Sequence, residues 1–315
     1  MLTFFLFILG LTLLLLGSSG VIKNALIISR LTKISPLAVG VTLVAIGTSL
    51  PEITVSFFGG VEKAPDLALG NIIGSNIANI GLVMGVSLII KRIYIGRTKT
   101  QKDMLITLLV SLFLFLTLFL NGLTFIHGLI FVSLGFGFTA WLITQREEEI
   151  PEKLSTKLPV NNPIIIVFTF ILSTAALIIG GKLLVDEGIA IAQLFKIPET
   201  IIGITAIAIG TSLPELAISV VGLTKKSTHN AEKLIIGNIL GSNIFNILFG
   251  VGILGLFGIK HFDDSLSLYA FLASTLILCF LIYFYKGKTI PRYFGLILII
   301  LYILYFMLIF SGVKG

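Results

Sequence analysis

The amino-acid sequence predicts an all-α polytopic membrane protein, with ten transmembrane helices arranged as two inverted five-helix repeats. Three observations predict this fold class. The composition is that of a chain surrounded by lipid, because 56% of the residues are hydrophobic and only 12% are charged, whereas a soluble domain carries about 25% charged residues. The apolar residues fall into ten segments of membrane-spanning length, and two sequence motifs each occur twice.

The ten apolar segments define the predicted spans. A transmembrane helix needs roughly 20 mainly apolar residues, and we predict spans at residues 2–22, 36–60, 66–90, 104–121, 124–144, 163–185, 198–224, 233–258, 266–285 and 291–312. Glycine, proline or asparagine interrupts the second, third, seventh and eighth spans. Such breaks are tolerated only where the freed backbone is buried in protein or lines a cavity. No basic residue precedes the first span, so we expect it to remain in the mature protein rather than act as a secretory signal.

Two motifs show that the chain contains an internal duplication. Ala45–Glu52, which reads Ala-Ile-Gly-Thr-Ser-Leu-Pro-Glu, recurs unchanged as Ala208–Glu215. Gly70–Asn79 recurs with two changes as Gly237–Asn246. Each half of the chain holds five predicted spans, and because five is odd the second half must enter the membrane from the opposite side. The two halves are therefore predicted to be inverted repeats, an arrangement that many transporters share.

The duplication divides the chain into two repeats and a linker. We predict a first repeat at 1–144 with its motif-bearing segment at 36–90, a cytoplasmic linker at 145–162, and a second repeat at 163–315 with its motif-bearing segment at 198–258. The linker is the main hydrophilic connector, and we interpret it as solvated. Its acidic run, Glu147–Glu149, leaves open a regulatory calcium site, although the spaced oxygen ligands of an EF-hand are absent from its sequence.

The distribution of basic residues predicts the orientation. With ten spans, 17 of the 22 Lys and Arg residues fall in loops on one side and five on the other. The side richer in Lys and Arg faces the cytoplasm, so both termini are predicted to lie outside it, in the cell membrane. The net charge of +7 is therefore read as a sign of membrane orientation and not of nucleic-acid binding.

Two acidic residues, Glu52 and Glu215, carry the strongest functional signal. The other acidic residues are assigned to loops or to the ends of spans. A charged side chain at the centre of a bilayer costs about 2.5–3.5 kcal/mol or more and marks a functional site by default. The two glutamates occupy equivalent positions, so an inverted pair can converge near mid-membrane. They would repel each other there, and a cation between them would relieve both the repulsion and the desolvation.

Neutral oxygen atoms surround these glutamates in the sequence. Thr48 and Thr211 each precede a glutamate by four residues, which places each pair on one helix face. Polar stripes at i, i+4 and i+8 run through the second motif of each half: Asn71, Ser75 and Asn79, and then Asn238, Ser242 and Asn246. Pro51 and Pro214 cannot donate to the carbonyls four residues earlier, so the carbonyls of Gly47 and Gly210, with those of Ala45 and Ala208, are expected to be available as ligands.

Other residues of the motifs are given structural roles. We expect Asn76 and Asn243 to face away from the stripes and to form hydrogen bonds between helices. The glycines of the second motif, Gly70, Gly74, Gly237 and Gly241, are expected to let helices approach closely. The single cysteine, Cys279, excludes an intrachain disulfide. Since no His or Cys accompanies the glutamates, the set suits calcium or sodium rather than zinc or copper.

Gly-Thr-Ser-Leu-Pro-Glu and Gly-Ser-Asn-Ile-x-Asn, both duplicated within ten spans, resemble the sodium/calcium exchanger family of the cation/calcium antiporters. The resemblance covers nearly the whole chain. It implies a membrane antiporter that exchanges sodium for calcium by alternating access, with no enzymatic activity and no cofactor beyond the transported ions. It also implies that the first and sixth spans move. The partners expected are the two ions and the lipid bilayer, and we expect the protein to function as a monomer.

The resemblance assigns ligands by matching positions. It implies a calcium site at Thr48, Glu52, Thr211 and Glu215. It implies sodium sites that use the same two glutamates with Ser49, Ser75, Ser212 and Ser242 and the carbonyls of Ala45 and Ala208, and a central site completed by Asn79 and Asn246. Some relatives carry Asp at the position of Asn246. Because this chain has Asn246 instead, only two acidic ligands are expected, and the occupant of the central site stays open. The missing aspartate also argues against a potassium-coupled relative.

An energy estimate sets the expected stoichiometry. Export of one calcium ion against a ten-thousand-fold gradient and a potential of about 100 mV costs about 10 kcal/mol, while one sodium ion entering down a tenfold gradient returns about 3.7 kcal/mol. About three sodium ions are therefore required for each calcium ion, and the exchange is expected to move net charge.

Three rival functions remain open from the sequence. A proton/calcium exchanger is the nearest rival, although those relatives typically carry Gly-Asn before their glutamate. A channel is less consistent with a closed pair of glutamates that holds ions tightly. An intramembrane serine protease is suggested by the run Gly17–Gly20, which we read instead as close packing at the end of a span. The three histidines, His127, His229 and His261, are all placed in loops, away from that run.

Overall fold

The computed structural model of the protein is almost entirely helical. It describes residues 2–32, 34–61, 65–120, 122–144, 162–194, 210–224, 229–258 and 264–312. Most of the predicted linker at 145–162 and the first half of the predicted seventh span at 198–224 therefore lie outside the described residues. The repeat boundaries drawn from the sequence remain predictions.

The first half of the chain contains five predicted spans. Their elements are α1 (Leu2–Thr32), then α2 (Pro36–Val39), π1 (Gly40–Val44), α3 (Ala45–Thr48) and α4 (Leu50–Val61), then α5 (Pro65–Ala78), π2 (Asn79–Met84) and α6 (Gly85–Ile90), then α7 (Lys99–Leu120) and α8 (Phe125–Thr144). A short strand, β1 (Ile93–Tyr94), follows the third span. Ser35 begins the second span, because its hydroxyl accepts a hydrogen bond from the backbone N–H of Ala38 at 3.1 Å.

The second half repeats this order where it is described. Its elements are α9 (Pro163–Leu194), α10 (Leu213–Thr224), then α11 (His229–Phe245), π3 (Asn246–Val251) and α12 (Gly252–Gly255), then α13 (Ser265–Phe284), β2 (Thr289–Ile290) and α14 (Tyr293–Gly312). Asp264 begins α13 by accepting a hydrogen bond from the backbone N–H of Ser267 at 2.9 Å.

Eight of the ten predicted spans meet the length and composition of a membrane-crossing helix. In the described part of the chain, seven helices qualify directly, and an eighth is the second span, whose two arms meet at 43°. The remaining two predicted spans contain shorter apolar helices, Leu213–Thr224 and Tyr293–Ile309. The all-helical membrane fold predicted from the sequence is confirmed, whereas the count of ten remains a prediction.

Two helices are longer than the sequence suggested. The first span continues ten residues beyond its predicted end to Thr32, and the sixth continues nine residues to Leu194. At about 1.5 Å per residue, each is about 47 Å long, well above the roughly 30 Å of a bilayer core. Gly17–Gly20 is therefore in the middle of α1 and not at the end of a span, which corrects that reading.

Glycines set the closest helix contacts. A Cβ on Gly40 would lie 2.2 Å from the carbonyl oxygen of Leu234, and one on Gly237 would lie 2.3 Å from that of Leu37. These distances show that the second and eighth spans touch backbone to backbone, which confirms the packing role of Gly237.

The same contact extends along the eighth span, where a Cβ on Gly241 would lie 2.5 Å from the carbonyl oxygen of Val41. The packing role predicted for Gly241 is therefore also confirmed. No described atom lies within 4 Å of a Cβ placed on Gly70 or Gly74. The stretch of the seventh span equivalent to their expected partner lies outside the described residues, so their packing role stays a prediction.

The two long helices pack on each other in the same way. A Cβ on Gly17 of α1 would lie 2.5 Å from the backbone nitrogen of Leu177, and one on Gly180 of α9 would lie 2.4 Å from that of Leu14. Gly17 and Gly180 are separated by 163 residues, the same separation as Glu52 and Glu215. The two halves of this contact are therefore equivalent under the repeat. In each helix the glycine allows the backbone of the other helix to come close.

At one end of the molecule, loops and helix ends from different spans contact one another. We call this end the clasp end. Strands β1 and β2 pair antiparallel there, with Ile93 opposite Ile290, and the Lys91 ammonium lies 2.7 Å from the Glu232 carboxylate. The Lys99 ammonium donates to the Ser35 hydroxyl at 3.0 Å. These contacts join four of the five loops predicted to share the basic face, as the predicted order of spans requires.

A third fully buried carboxylate belongs to Asp103. The sequence placed this residue just before the fourth span, but α7 begins at Lys99, so Asp103 lies within its second turn and is 0% exposed. Asp103 is the fifth residue of α7, so it still lies at the end of a span as predicted, but the sequence did not indicate that its side chain would be buried. The extra helical turn carries it into the contact between α7 and its neighbours.

Candidate cation-binding site

Glu52 occupies the first turn of a half-helix created by a break in the second span. Helix α3 ends at Thr48, Ser49 has backbone angles of φ −84° and ψ 1°, and α4 begins at Leu50. Pro51 follows the break and has no N–H to continue the helical pattern. The amino end of a helix carries a partial positive charge that favours a nearby carboxylate, so the break stabilises Glu52.

Glu215 has the equivalent position in the second half. It lies in the first turn of α10, which begins at Leu213, and Pro214 follows the turn at Ser212. The N–H of Leu216 donates to the carbonyl of Ser212 at 3.1 Å, as the N–H of Ile53 donates to that of Ser49 at 3.0 Å. The two half-helices thus begin with the same local geometry.

The two carboxylates converge, as the sequence predicted. Both side chains are 0% exposed, and they lie close enough for the charge of Glu215 to act on Glu52. Ser75 and Thr211 lie beside Glu52. None of the four oxygen atoms of the two carboxylates has a hydrogen-bond partner within normal distance. A pair of adjacent buried carboxylates without donors is costly unless a cation or protons compensate it.

Pairs of hydroxyl groups from opposite halves flank the glutamates. The Thr48 hydroxyl lies 3.2 Å from that of Ser242, beside Glu215. The Ser75 hydroxyl lies 2.9 Å from that of Thr211. Exchanging the two repeats converts one pair into the other, so the site has the two-fold relation that inverted repeats predict.

Further buried oxygen atoms in this region have no hydrogen-bond partner in the described structure. They are the hydroxyls of Ser49 and Ser212, the side-chain oxygens of Asn71, Asn79 and Asn246, and the hydroxyl of Ser219. Leaving one buried polar group unpaired costs about 1–3 kcal/mol. Their concentration around two carboxylates indicates a set of ion ligands, because a bound cation would satisfy many of them at once.

The asparagines of the second motif do not all behave as predicted. The Asn79 amide donates to the side-chain oxygen of Asn243 at 3.0 Å, so Asn243 does bond between helices but faces the Asn79 stripe instead of turning away from it. Asn76 donates to the carbonyl of Ile72 in its own helix at 2.8 Å. The expected inter-helix role of Asn76 was therefore wrong.

The carbonyl of Ala45 is already engaged. It accepts a hydrogen bond from the N–H of Ser49 at 2.9 Å, and the Thr48 hydroxyl lies 3.3 Å from it. A carbonyl oxygen has two lone pairs, so this hydrogen bond leaves room for an ion, and the role of Ala45 as a ligand stays a prediction. Its equivalent, Ala208, lies outside the described residues.

Three π-helical segments near the site were missed by the sequence analysis. They are Gly40–Val44, Asn79–Met84 and Asn246–Val251. Two of them begin at equivalent asparagines of the central stripe. A π-turn inserts an extra residue into the helical turn and is frequent at functional sites. No single residue type predicts such a turn. The only signal in the sequence was that Asn79 and Asn246, where two of the segments begin, occupy equivalent positions in the two halves.

Ser56 and Ser219 were also missed. Each follows a site glutamate by four residues and is fully buried. The Ser56 hydroxyl donates to the carbonyl of Glu52 at 2.8 Å, whereas that of Ser219 has no partner in the described structure. The spacing of four was available in the sequence, because it places each serine on the same helix face as its glutamate.

The arrangement suits a hard cation. The described residues contain no cluster of three or more His, Cys, Asp and Glu side chains that could hold a metal ion. The candidate ligands are the two carboxylates and the neutral oxygens around them. Such sets bind calcium and sodium. Helices broken at mid-membrane, with their amino ends at the site, and repeats of inverted topology define the class of secondary ion transporters.

Comparison with known proteins specifies the family. The family model described as sodium/calcium exchanger protein matches residues 2–144 and 165–311, so this chain belongs to the sodium/calcium exchanger family. An uncharacterized membrane protein of Methanocaldococcus jannaschii is 35% identical over 301 residues, with 95% of each chain covered. The sodium/calcium exchanger MaX1 of Methanosarcina acetivorans is 30% identical over 354 residues, with 98% of each chain covered.

A solved structure confirms the fold. The sodium-calcium exchanger NCX_Mj, soaked with Na+ and without Ca2+, matches with a TM-score of 0.83 and 32% identity, and the alignment covers 96% of this chain and 97% of that one. The family resemblance inferred from the motifs is confirmed, and with it the assignment to membrane exchangers, which transport ions and are not enzymes.

Proposed function

We propose that this protein exchanges sodium for calcium across the cell membrane by alternating access, with calcium export driven by sodium entry. The observation that carries the proposal is the pair of fully buried carboxylates, Glu52 and Glu215, surrounded by unpaired oxygen atoms. The relative MaX1 is named a sodium/calcium exchanger, and NCX_Mj is named a sodium-calcium exchanger. Both names agree with sodium and calcium as the exchanged ions.

The charge of the site explains why the two ions compete. Two carboxylates carry a charge of −2, which one calcium ion neutralises. Sodium ions that bind the same carboxylates exclude calcium, so the site holds one kind of ion at a time. We assign the calcium site to Thr48, Glu52, Thr211 and Glu215. We assign the sodium sites to both glutamates with Ser49, Ser75, Asn79, Ser212, Ser242 and Asn246 and the carbonyls of Ala45 and Ala208.

The long helices supply a route for alternating access. Helices α1 and α9 contact each other along their length through Gly17 and Gly180, and the methyl group of Thr174 in α9 would lie 3.1 Å from a Cβ on Gly47. This contact places α9 against the broken second span just before its break. We propose that α1 and α9 slide together across the rest of the bundle and so expose the site to one face or the other.

Transport by the reconstituted protein tests the proposal. Purified protein in liposomes loaded with sodium should take up calcium-45 when sodium is absent outside, and uptake should stop when the sodium gradient is removed. Glu52→Gln and Glu215→Gln should each reduce uptake at least about a hundredfold, because each leaves one buried charge to hold a divalent ion.

Asp66→Asn provides the matched control, since it removes one carboxylate from an exposed position outside the site and should leave uptake unchanged. Normal uptake by either glutamine variant would contradict the site. Calcium uptake that needs a pH difference and ignores sodium would contradict the choice of sodium and favour proton/calcium exchange.

A further inference from the structure

The two faces of the site are closed to different extents. The set on the clasp side consists of Thr48, Asn238 and Ser242. The Thr48 hydroxyl lies 3.3 Å from the side-chain oxygen of Asn238 and 3.2 Å from the Ser242 hydroxyl, and Thr48 is only 1% exposed. These three buried side chains, which we call the plug, are joined through the Thr48 hydroxyl, while the Asn238 amide nitrogen has no hydrogen-bond partner in the described structure.

The set on the far side consists of the repeat equivalents Thr211, Asn71 and Ser75. The Thr211 hydroxyl lies 2.9 Å from that of Ser75, but Asn71 does not join the pair. Asn71 is 4% exposed, and neither its amide oxygen nor its amide nitrogen has a hydrogen-bond partner in the described structure. Thr211 itself is partly exposed. The far side therefore has the same residues without the complete plug.

The course of the helices shows that these sets lie on opposite faces. Helix α11 starts at the clasp end, where Glu232 pairs with Lys91, and Asn238 precedes the central Asn246 by about two turns. The third span ends at the clasp end, because it leads into β1. Asn71, about two turns before Asn79, therefore lies on the side away from the clasp.

We propose that Asn238 and Asn71 are alternating latches of the site. Asn238 accepts the Thr48 hydroxyl when the clasp side is closed, as in this structure, and Asn71 accepts the Thr211 hydroxyl when the far side is closed. The inference rests on the proposed exchange function and adds two gating residues to it. Asn71 is buried without a hydrogen-bond partner because the structure shows the state in which Asn71 and Thr211 are not bonded to each other.

The energetic argument follows from the symmetry. Each state gains one latch and loses the other, so the two closed states differ little in free energy and the protein can alternate between them. Removing one latch destabilises one closed state only. A net hydrogen bond shifts an equilibrium by about fivefold, so each single substitution should bias the site toward one face by about that factor.

Sidedness of calcium affinity tests the latches. Half-saturating calcium is measured for uptake into right-side-out and inverted membrane vesicles, and the ratio of the two values is compared. Asn238→Ala should raise the apparent affinity on the clasp side and lower it on the far side, changing the ratio about fivefold. Asn71→Ala should change the ratio in the opposite direction, and the double variant should return it toward the original value.

Opposite shifts support the latches, whereas shifts in the same direction, or no shift in either variant, overturn them. Asn76→Ala is the matched control, because Asn76 lies on the same helix as Asn71 but bonds within that helix, and it should leave the ratio unchanged. If an alanine variant is poorly folded, Asn238→Ser and Asn71→Ser replace it, since serine is too short to reach the threonine.

Hydrogen–deuterium exchange separates failure of the latches from failure of the transport function. Asn238→Ala should increase exchange in the second span before Ser49, and Asn71→Ala should increase it in the first turns of α5. This measurement needs no transport. Unchanged exchange in both variants overturns the latches even if sodium-driven uptake is normal, and the expected changes support them even if the transported ions differ from those proposed.

Discussion

At the scale of single residues, the chemistry of this protein is concentrated in Glu52 and Glu215. Each sits in the first turn of a half-helix, where the partial positive charge of the helix end favours a carboxylate. That effect is worth about 0.3–2 kcal/mol, less than the cost of burying two adjacent charges. The balance has to come from a cation or from protons, and we propose that a transported cation supplies it when it binds between the two glutamates.

Asn246 decides the net charge of the site. Its amide is buried, and neither polar atom has a hydrogen-bond partner in the described structure. With Asn at this position the carboxylates give −2, so bound calcium leaves no net charge while three sodium ions leave +1. Asn246→Asp would change these values to −1 and 0. Since net charge in a buried site is costly, the substitution should favour sodium over calcium.

The expected result for Asn246→Asp is that sodium inhibits calcium-45 uptake at a concentration at least about tenfold lower, relative to half-saturating calcium. Inhibition curves at several calcium concentrations measure the change. Asn246→Gln, which keeps the amide and adds no charge, serves as the control. A higher sodium requirement in the aspartate variant would contradict the count of three sodium ions.

At the scale of elements, glycine contacts hold the site together. The second and eighth spans approach so closely at Gly237 that no side chain fits between them. This contact fixes the distance between the Thr48 and Ser242 hydroxyls, which come from these two spans. The packing of small residues thus sets the spacing of two proposed ion ligands, a link that the motif alone did not show.

Gly237→Ala tests that link. The added methyl group would lie 2.3 Å from a backbone oxygen, so the helices must separate, at a cost of about 1–3 kcal/mol. We expect a lower midpoint of thermal unfolding in detergent and weaker calcium binding. Gly137→Ala is the control, because a Cβ at this exposed position in α8 meets no described atom within 4 Å. Equal stability of the two variants would show that the spans can relax without loss.

At the scale of the whole molecule, two sets of contacts stand out: the clasp between loops and the packing of the two long helices. The clasp joins the loops of the second, third, fourth, eighth, ninth and tenth spans through β1 and β2 and the pair Lys91–Glu232. Helices α1 and α9 pack on each other through glycines. These two sets of contacts agree with the proposed sliding motion. The clasp connects loops of other helices, whereas α1 and α9 are held together by their own glycine contact.

The proposed stoichiometry predicts electrogenic exchange. When three sodium ions enter and one calcium ion leaves, one net positive charge enters per cycle. A potential that is negative inside should therefore favour sodium entry and calcium export. In liposomes, imposing a potassium diffusion potential with valinomycin should change the initial rate of sodium-driven calcium-45 uptake, and exchange should produce a current on a supported membrane. If the initial rate of uptake does not depend on the membrane potential and exchange produces no current, this stoichiometry is refuted.

The predicted orientation places the clasp in the cytoplasm and both termini outside it. A green fluorescent protein fused after Gly315 should therefore be dark in a bacterial host that exports it unfolded, whereas alkaline phosphatase at the same position should be active. Fusions within the predicted linker at 145–162 should give the reverse result. Fluorescence at the carboxyl terminus would reverse the orientation or change the number of spans.

The sequence by itself determined the membrane class, the duplicated motifs, the two central glutamates and the family. These features depend on local composition and on residue identity: hydropathy decides which solvent a helix enters, and a carboxylate inside an apolar segment is conspicuous wherever the helix lies. The convergence of Glu52 with Glu215 also followed from the sequence, because an inverted duplication places equivalent residues about one axis.

The tertiary structure alone decided how the helices face one another. It placed Asn243 against Asn79, returned Asn76 to its own helix, engaged the carbonyl of Ala45 and buried Asp103. Each outcome depends on where a helix begins, on how far it is rotated and on what packs beside it. A single π-turn changes the rotation of every residue that follows. Spacing in the chain identifies the face of one helix, whereas the partner of that face is chosen by the packing of all the others.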